Sequence, residues 1–452
     1  MGIPELALLA LLTILFSWTI YNLPILARGL AATLCHTASN TRTVPQRLPT
    51  FSIVVAAKNE EKVIGRLLQS LLQLDYPREK MQIVIVEDGS SDRTPRICED
   101  YAHNHQGLIE FHHRELSQNK PAALNHALTK TRGEIVAIFD ADNILEKDLL
   151  LRAAAYFQDD SVVAIQGQTH SINENQNLIA KLQTYDQESW WKTYLQGKDS
   201  LGLFVPFTGS CGFIRREILL KCGGWDERSL TEDAELAARL AATKHRVRYA
   251  PDVQTWQENV SSLRQLVKQR RRWFRGYMET LVKYGGLLTQ KSLIGLDVEA
   301  TLMGPLIVSI CFLTNIISVY GIIAGNSFIG RELVIISSAT GILTLGTIVV
   351  CGTVLLYQLK PRRLRNLLWI GALIMYWELQ MAIAFYTSLC FLLRRPQLWE
   401  KTDKTGAADA TTVESIKTES QEPRPEGRGL LGDLDESSRI RSARARCATA
   451  VR

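Results

Sequence analysis

Paired cysteines are the first thing missing. The chain has eight cysteines (Cys35, Cys98, Cys211, Cys222, Cys311, Cys351, Cys390 and Cys447) and no Cys-x-x-Cys spacing. That gives neither a disulfide framework nor a zinc-finger pattern, and a reduced compartment is expected. An internal repeat is also missing, which removes the repeat architectures. Charge is missing over long stretches: Leu6–Ala27, Thr301–Gly330 and Leu333–Leu359 carry none, and Leu367–Leu393 carries only Glu378. Each run approaches or exceeds the ~20 apolar residues that cross a bilayer, so a lipid bilayer is the expected partner. The first run lacks a basic lead and a small-residue cleavage site, which reads as an uncleaved anchor rather than a signal peptide.

The net charge of +6 is spread over many segments of the 452-residue chain, so no nucleic-acid partner is expected. Arg28, Arg42 and Arg47 follow the first apolar run, and Lys360, Arg362, Arg363 and Arg365 separate the last two. Both groups favour the cytoplasmic side, which predicts a multi-pass protein of the cell membrane whose central region is cytosolic. Three full crossings after that region would put the C-terminal tail outside. Arg394, Arg395, Lys401 and Lys404 directly after the last run favour the inside instead. A last segment broken or re-entrant around Glu378 would reconcile the two.

Between the apolar runs the pattern alternates. Phe51–Ala57, Gln82–Val86, Leu108–His112 and Glu134–Phe139 read as strands, and Glu60–Leu74, Asp92–His105 and Lys120–Lys130 as helices. This cadence predicts an α/β, Rossmann-like, mostly parallel sheet with flanking transmembrane helices. Further helices are expected at Lys181–Gln196, rich in aromatics, and at Leu263–Tyr284, basic at its start. The expected organisation is an anchor at 1–30, a linker at 31–50 and a catalytic domain at 51–257. A basic interfacial helix region at 258–298, about three membrane segments at 299–393 and a polar, disordered tail at 394–452 complete it.

Three acidic clusters occur in order: Glu87-Asp88, Asp140-Ala141-Asp142 and Thr231-Glu232-Asp233. The first two directly follow strands, and strand C-termini in open α/β sheets are where ligands and metal ions dock. Departure of a pyrophosphate needs its charge neutralised, which a hard cation held by one or two carboxylates can do. In Asp-x-Asp one carboxylate can face a sugar-nucleotide and the other the metal; a solvated turn has the same sequence. Gly89 permits a tight turn, and Ser90 or Ser91 can cap the next helix. Asp88 then points toward a base or ribose. Asp233 at a helix start suits a base that deprotonates an attacking hydroxyl, although the helix dipole alone favours a carboxylate there. In Gln269-Arg270-Arg271-Arg272-Trp273, two or three guanidiniums can grip a pyrophosphate while the indole stacks on a sugar. A basic helix lying on anionic lipid fits the same residues.

At these spacings the elements resemble the family 2 inverting glycosyltransferases, in particular the membrane-embedded branch of cellulose, hyaluronan and poly-N-acetylglucosamine synthases. The resemblance covers about Pro49–Tyr284. It implies a GT-A fold, a UDP-sugar donor, and Mg²⁺ or Mn²⁺ as cofactor. It further implies that Asp88, Lys120, Asp140 and Arg272 bind the donor, Asp142 the metal, and that Asp233 is the general base. Gln269, Trp273, Thr208 and Gly209 would face the acceptor. Two departures stand out: Asn259 follows Glu258 where proline is frequent, and one N-terminal span is visible instead of two. The expected activity is elongation of a β-linked polysaccharide, most like poly-β-1,6-N-acetylglucosamine synthase. Transfer of one sugar to a membrane lipid, as by ceramide or diacylglycerol glucosyltransferases, is second, and a non-catalytic transport or assembly subunit third. The sequence leaves open an oligomer or an accessory subunit.

Overall fold

The computed structural model describes residues 3–35, 45, 47–115, 118–286, 292–324, 331–359, 363–397 and 401–408. An eight-stranded sheet runs in the order β3-β2-β1-β4-β7-β6-β8-β5. Its strands are β1 (Phe51–Ala57), β2 (Met81–Glu87), β3 (Ile109–His113), β4 (Ile135–Asp140), β5 (Ile144–Leu145), β6 (Ala164–Ser171), β7 (Gly212–Arg215) and β8 (Val247–Gln257). β1 pairs in parallel with β2 and β4, and β2 with β3, so these four C-terminal ends share one edge. β7 then runs antiparallel to β4 and β6, while β6 and β8 are parallel. The sheet is the mixed, mostly parallel sheet of a GT-A domain.

Helices α2 (Ile64–Leu72), α3 (Thr94–Asn104), α4 (Lys120–Lys130) and α5 (Leu149–Tyr156) cover the two faces of the parallel half. In α2 the apolar stripe Ile64, Leu67, Leu68 and Leu71 is fully buried against β1, β2 and β4 residues. Each such side chain contributes roughly 1.5–3 kcal/mol. α4 begins where Asn119 accepts a bond from Ala122 N at 3.0 Å and Pro121 fills the first turn. Lys120 is therefore fixed at a helix start beside the strand ends.

Among the described residues, four helices are long and apolar enough to cross a membrane: α1 (Ile3–Cys35), α11 (Leu293–Ala324), α12 (Arg331–Gln358) and α13 (Leu368–Leu392). α1 is docked on the catalytic domain through two glycines. A Cβ on Gly29 would lie 1.7 Å from Thr193 O, and one on Gly197 1.9 Å from Ile25 O. Backbone thus meets backbone where α1 crosses a π-helical turn at Trp190–Leu195 and α7 (Gln196–Ser200). Asp297 of α11 reinforces the junction. It is buried with Lys198 of α7 at 3.0 Å, accepts from Phe204 N at 2.6 Å, and binds the hydroxyl of Tyr21 from α1.

Two features differ from the sequence reading. α13 is unbroken at Glu378, which accepts a bond from Asn315 Nδ2 of α11 at 3.0 Å. Instead, α13 packs along α10 (Leu263–Tyr284): Tyr376 meets Arg270, Tyr386 meets Arg271, and Phe391 meets Arg275. The chain is thereby returned to the catalytic domain, and residues 401–408 of the expected disordered tail lie against it in defined contacts. The rest of that tail, from 409 on, lies outside the described residues.

Candidate active site

The β2 end builds the first wall. Gly89 has φ +69, and the buried Glu87 accepts from Ser90 N and contacts His113 Nδ1 at 2.5 Å. Ser90 does not cap α3; its hydroxyl accepts from Asn59 N at 2.8 Å, and Asp92 accepts from Thr94 N at 2.9 Å. The loops after β1 and β2 are therefore stitched together. Asp88 is buried, with Arg114 Nη1 at 3.0 Å and Gln118 N donating at 3.2 Å. Arg114 and Gln118 gave no sequence signal, because they act on a residue 26 to 30 positions earlier.

The β4 end carries the two aspartates in different settings. Asp140 accepts from the Lys120 ammonium at 2.6 Å. Lys120 also donates to Gly209 O at 3.1 Å and lies 3.5 Å from Glu232, joining α4, β4, the 204–211 loop and α9 (Glu232–Ala242). Burial alone would pull this ammonium's pKa down, but Asp140, Glu232 and Asp233 outweigh it and raise it. Asp142 Oδ2 accepts from Glu258 N at 3.0 Å and faces the Lys404 ammonium at 2.7 Å. Asn259 explains one departure: its N–H, which proline would lack, donates to Asn173 Oδ1 at 2.8 Å.

Asp233 lies in the first turn of α9, with Ala234 N donating at 2.8 Å. Its carboxyl is pushed up to about 7 by burial and by the neighbouring Glu232, against the pull of Lys120 and Arg272. Gly209 has φ +83, and a Cβ there would come within 3.2 Å of Asp233 Oδ2 and 3.6 Å of Lys120 Nζ. Only glycine leaves this space open. Thr208 is held by its N–H to Gln166 Oε1 at 3.0 Å, directly before it.

The arginines of α10 divide by face. Arg272 donates to Leu230 O at 3.5 Å and acts on Asp233. Arg270 is buried toward α13, with Tyr376 OH at 3.2 Å and Asp186 at 3.5 Å, and its guanidinium lies 4.5 Å from the Trp273 ring centre. Arg271 lies over Tyr386 at 5.1 Å. Of the three arginines Arg272 faces α9, while the 3.6-residue period turns Arg270 and Arg271 to the membrane helix. Gln269 accepts from Gln183 Nε2 at 3.4 Å. α10 reaches α9 through Gly276, where a Cβ would sit 2.4 Å from Thr231 Oγ1.

Asp140, Asp233, Lys120, Gly209 and Arg272 are thus linked around one centre, with Asp88 and Asp142 at neighbouring strand ends on the same edge. Glu232, Glu258 and Glu60 belong to this surround as well. Among the described residues no three His, Cys, Asp or Glu side chains gather as a self-sufficient metal cage. The donor set does fit a hard cation shared with a ligand's phosphates: Asp142 is buried and already draws an ammonium to its oxygen.

A mixed sheet with buried carboxylates at its parallel edge, and apolar helices before and after it, defines a membrane-associated GT-A domain. The chain belongs to glycosyltransferase like family 2, which matches over residues 49–276. The β-monoglucosyldiacylglycerol synthase of Trichormus variabilis is 35% identical over 246 residues, 53% of this chain and 52% of that protein. The poly-β-1,6-N-acetyl-D-glucosamine synthase of Staphylococcus epidermidis is 26% identical over 238 residues, 53% of this chain and 57% of that one. The chain spans about half the length of the curated relatives it matches. A mannosyltransferase from Pyrobaculum calidifontis, solved with GDP-Man and Mn²⁺, shares the fold with TM-score 0.58 and 20% identity, covering 86% of this chain and 100% of its own.

Proposed function

We propose that this protein transfers one sugar, with inversion, from a UDP-sugar to a hydroxyl of a diacylglycerol-type membrane lipid at the cytosolic face of the cell membrane. The observation that carries the acceptor is the difference in similarity. Over stretches of similar length, identity is 35% to a synthase named for monoglucosyldiacylglycerol and 26% to the polysaccharide synthase. This reverses the order expected from sequence, which put the polymer first. The anchoring of the 204–209 loop to α11 through Asp297 supports an acceptor that arrives from the bilayer.

In this reading Asp233 takes the proton of the acceptor hydroxyl as its oxygen attacks the anomeric carbon. The bond from that carbon to the diphosphate oxygen breaks on the opposite face, and its electron pair leaves with UDP. A carboxyl raised to about 7 is ionised enough to accept the proton yet basic enough to hold it. Lys120 and Arg272 set positive charge near the base and the donor, and Asp88 fixes the uracil or ribose side. Thr208, Gly209, Gln269 and Trp273 form the acceptor side. Asp142, with Asp140 beside it, would hold Mg²⁺ or Mn²⁺, which when bound neutralises the leaving diphosphate.

The test is incubation of purified protein in diacylglycerol-containing vesicles with labelled UDP-glucose and other UDP-sugars. A solvent-extractable lipid bearing one sugar is expected. Label in a long, water-soluble chain would overturn the acceptor assignment.

A further inference from the structure

α1 and α11 meet at Tyr21 and Asp297, and away from the catalytic domain a slot of about 330 Å³ opens between them. Thr13, Ser17 and Tyr21 line it on α1, Ala300 and Ile307 on α11. The hydroxyls of Thr13 and Ser17 donate to Leu9 O at 2.7 Å and Thr13 O at 2.8 Å within α1, so the wall they present is apolar. Gly304 stands between Ala300 and Ile307 on the same helical face, and a Cβ there would meet nothing within 4 Å. From Tyr21 to Thr13 the slot runs about 12 Å, most of the ~15 Å of hydrocarbon in one leaflet. Its upper end belongs to the catalytic domain. Asp297, which binds the Tyr21 hydroxyl, accepts from Phe204 N at 2.6 Å, and Phe204 begins the loop that carries Gly209 against Asp233. Tyr194 lies within electrostatic reach of both Tyr21 and Tyr277 of α10, and Tyr277 within reach of Asp233.

We propose that this slot holds one acyl chain of the acceptor lipid, with the lipid's hydroxyl end turned at Tyr21 toward the 204–209 loop and Asp233. The proposal rests on the reading of the acceptor as a diacylglycerol-type lipid. Hydrocarbon surrounds every membrane helix, so escape from water gives the slot no preference for a chain. What it supplies is packing and orientation. A chain laid in a groove of fixed depth loses lateral freedom, and its first carbons emerge at the residues that fix the acceptor loop. The headgroup that fits there is uncharged. Lys198, the cation beside Asp297, is fully buried and already paired with both Asp297 oxygens at 3.0 and 3.1 Å, so it is not offered to a phosphate. A glycerol hydroxyl suits that end, and a phospholipid headgroup does not.

The test uses the full chain in phosphatidylcholine vesicles and has two arms. In the first, without a sugar donor, a diacylglycerol carrying a diazirine near the end of one chain is photolysed and the labelled peptides are mapped by mass spectrometry. Label should gather on α1 around Thr13 and on α11 around Ile307, and excess dioleoylglycerol should suppress it. In the second, transfer is measured with whichever UDP-sugar gives a lipid product. Gly304→Leu fills the slot about 10 Å below Asp297. It should raise KM for dioleoylglycerol about tenfold. Its kcat, and its KM for dihexanoylglycerol, whose chains stop short of Gly304, should stay near wild type. Gly304→Ala, one methyl group in open space, should match the wild type. Unchanged KM at both chain lengths in Gly304→Leu, or equal labelling of the slot by a diazirine phosphatidylcholine, would overturn the slot while a lipid product keeps the acceptor reading. If Gly304→Leu does not fold, the wild-type labelling decides alone. Sugar found only in a long, water-soluble chain would remove the acceptor reading and the slot with it.

Discussion

Asp142, buried, and Asp233, half-buried, are acids of one site, but they belong to different halves of the molecule and are solvated in contrary ways. Asp142 stands after β4, on the side where β8 and residues 401–408 meet; it receives a backbone N–H and an ammonium. Asp233 opens α9 on the side where α10 packs, next to a second carboxylate, and its proton affinity rises to about 7. The first environment welcomes a negative charge and, by extension, a cation beside it. The second resists a fixed charge and so favours a group that exchanges a proton. Two aspartates, with the same chemistry in water, are placed in contrary electrostatic settings by what surrounds them, which suits the separate tasks proposed for them.

The largest expected effect comes from removing the proton acceptor. Asp233→Asn should lower turnover by about 10²–10⁴-fold, the usual range for a positioned acid–base group, while leaving UDP-sugar affinity near wild type. The sign with pH follows from the raised value: the base works only when ionised, so wild-type turnover should climb as pH rises through about 7 and then level off. A loss of donor affinity as large as the loss of turnover would make Asp233 a donor-site residue instead. The comparison is broken from the other side by Asp142→Ala, which should cost about 100-fold or more in Mn²⁺ affinity. Titration of turnover against Mn²⁺ checks it; an unchanged midpoint would remove the distinction between the two acids.

Much of the Asp142 half could be read from sequence because its signals are local. Asn119-Lys120-Pro121 announces the start of α4, and the helix runs over Lys120–Lys130 as expected. Phe51–Ala57 is a strand as expected, and the two clusters of acids follow strands whose apolar runs are continuous. The rest depends on distant partners. β7 is four residues long and pairs antiparallel with strands far away in sequence, so no periodicity marks it. The 401–408 segment has no apolar period at all; its order comes from charges and donors matched to Glu60, Asp142 and Glu258. The arginine run depends on distant partners in the same way. Its composition shows three equal charges, and only the packing of α13 decides which face each one takes.

Gly209 tests whether the two halves communicate through the loop between them. A methyl group there would need a left-handed backbone and would crowd Asp233, with Lys120 at ordinary contact distance. Gly209→Ala should cost about 1–3 kcal/mol of strain at that position and lower turnover with little change in Mn²⁺ midpoint. Measured thermal stability and a Mn²⁺ titration separate the two outcomes. A shift in the midpoint as large as that of Asp142→Ala would mean that the halves are one unit rather than two.

The smallest expected effect lies on α10, where neighbouring arginines face different surroundings. Arg272 acts on Asp233 and donates to Leu230 O, so Arg272→Gln removes one of the two cations, with Lys120, that restrain the rise in Asp233's proton affinity. Its turnover–pH curve should move to higher pH, as well as lie lower. Arg271 rests over the Tyr386 ring of α13 instead, a contact that contributes about 0.5–1 kcal/mol at an exposed site. Arg271→Gln should therefore soften the packing of α13 by about that much and leave the pH curve where it is. Turnover measured from pH 5 to 9 for the two variants decides the matter. Equal shifts would mean that both guanidiniums reach the base, and that the face-by-face division of α10 does not hold in the working enzyme.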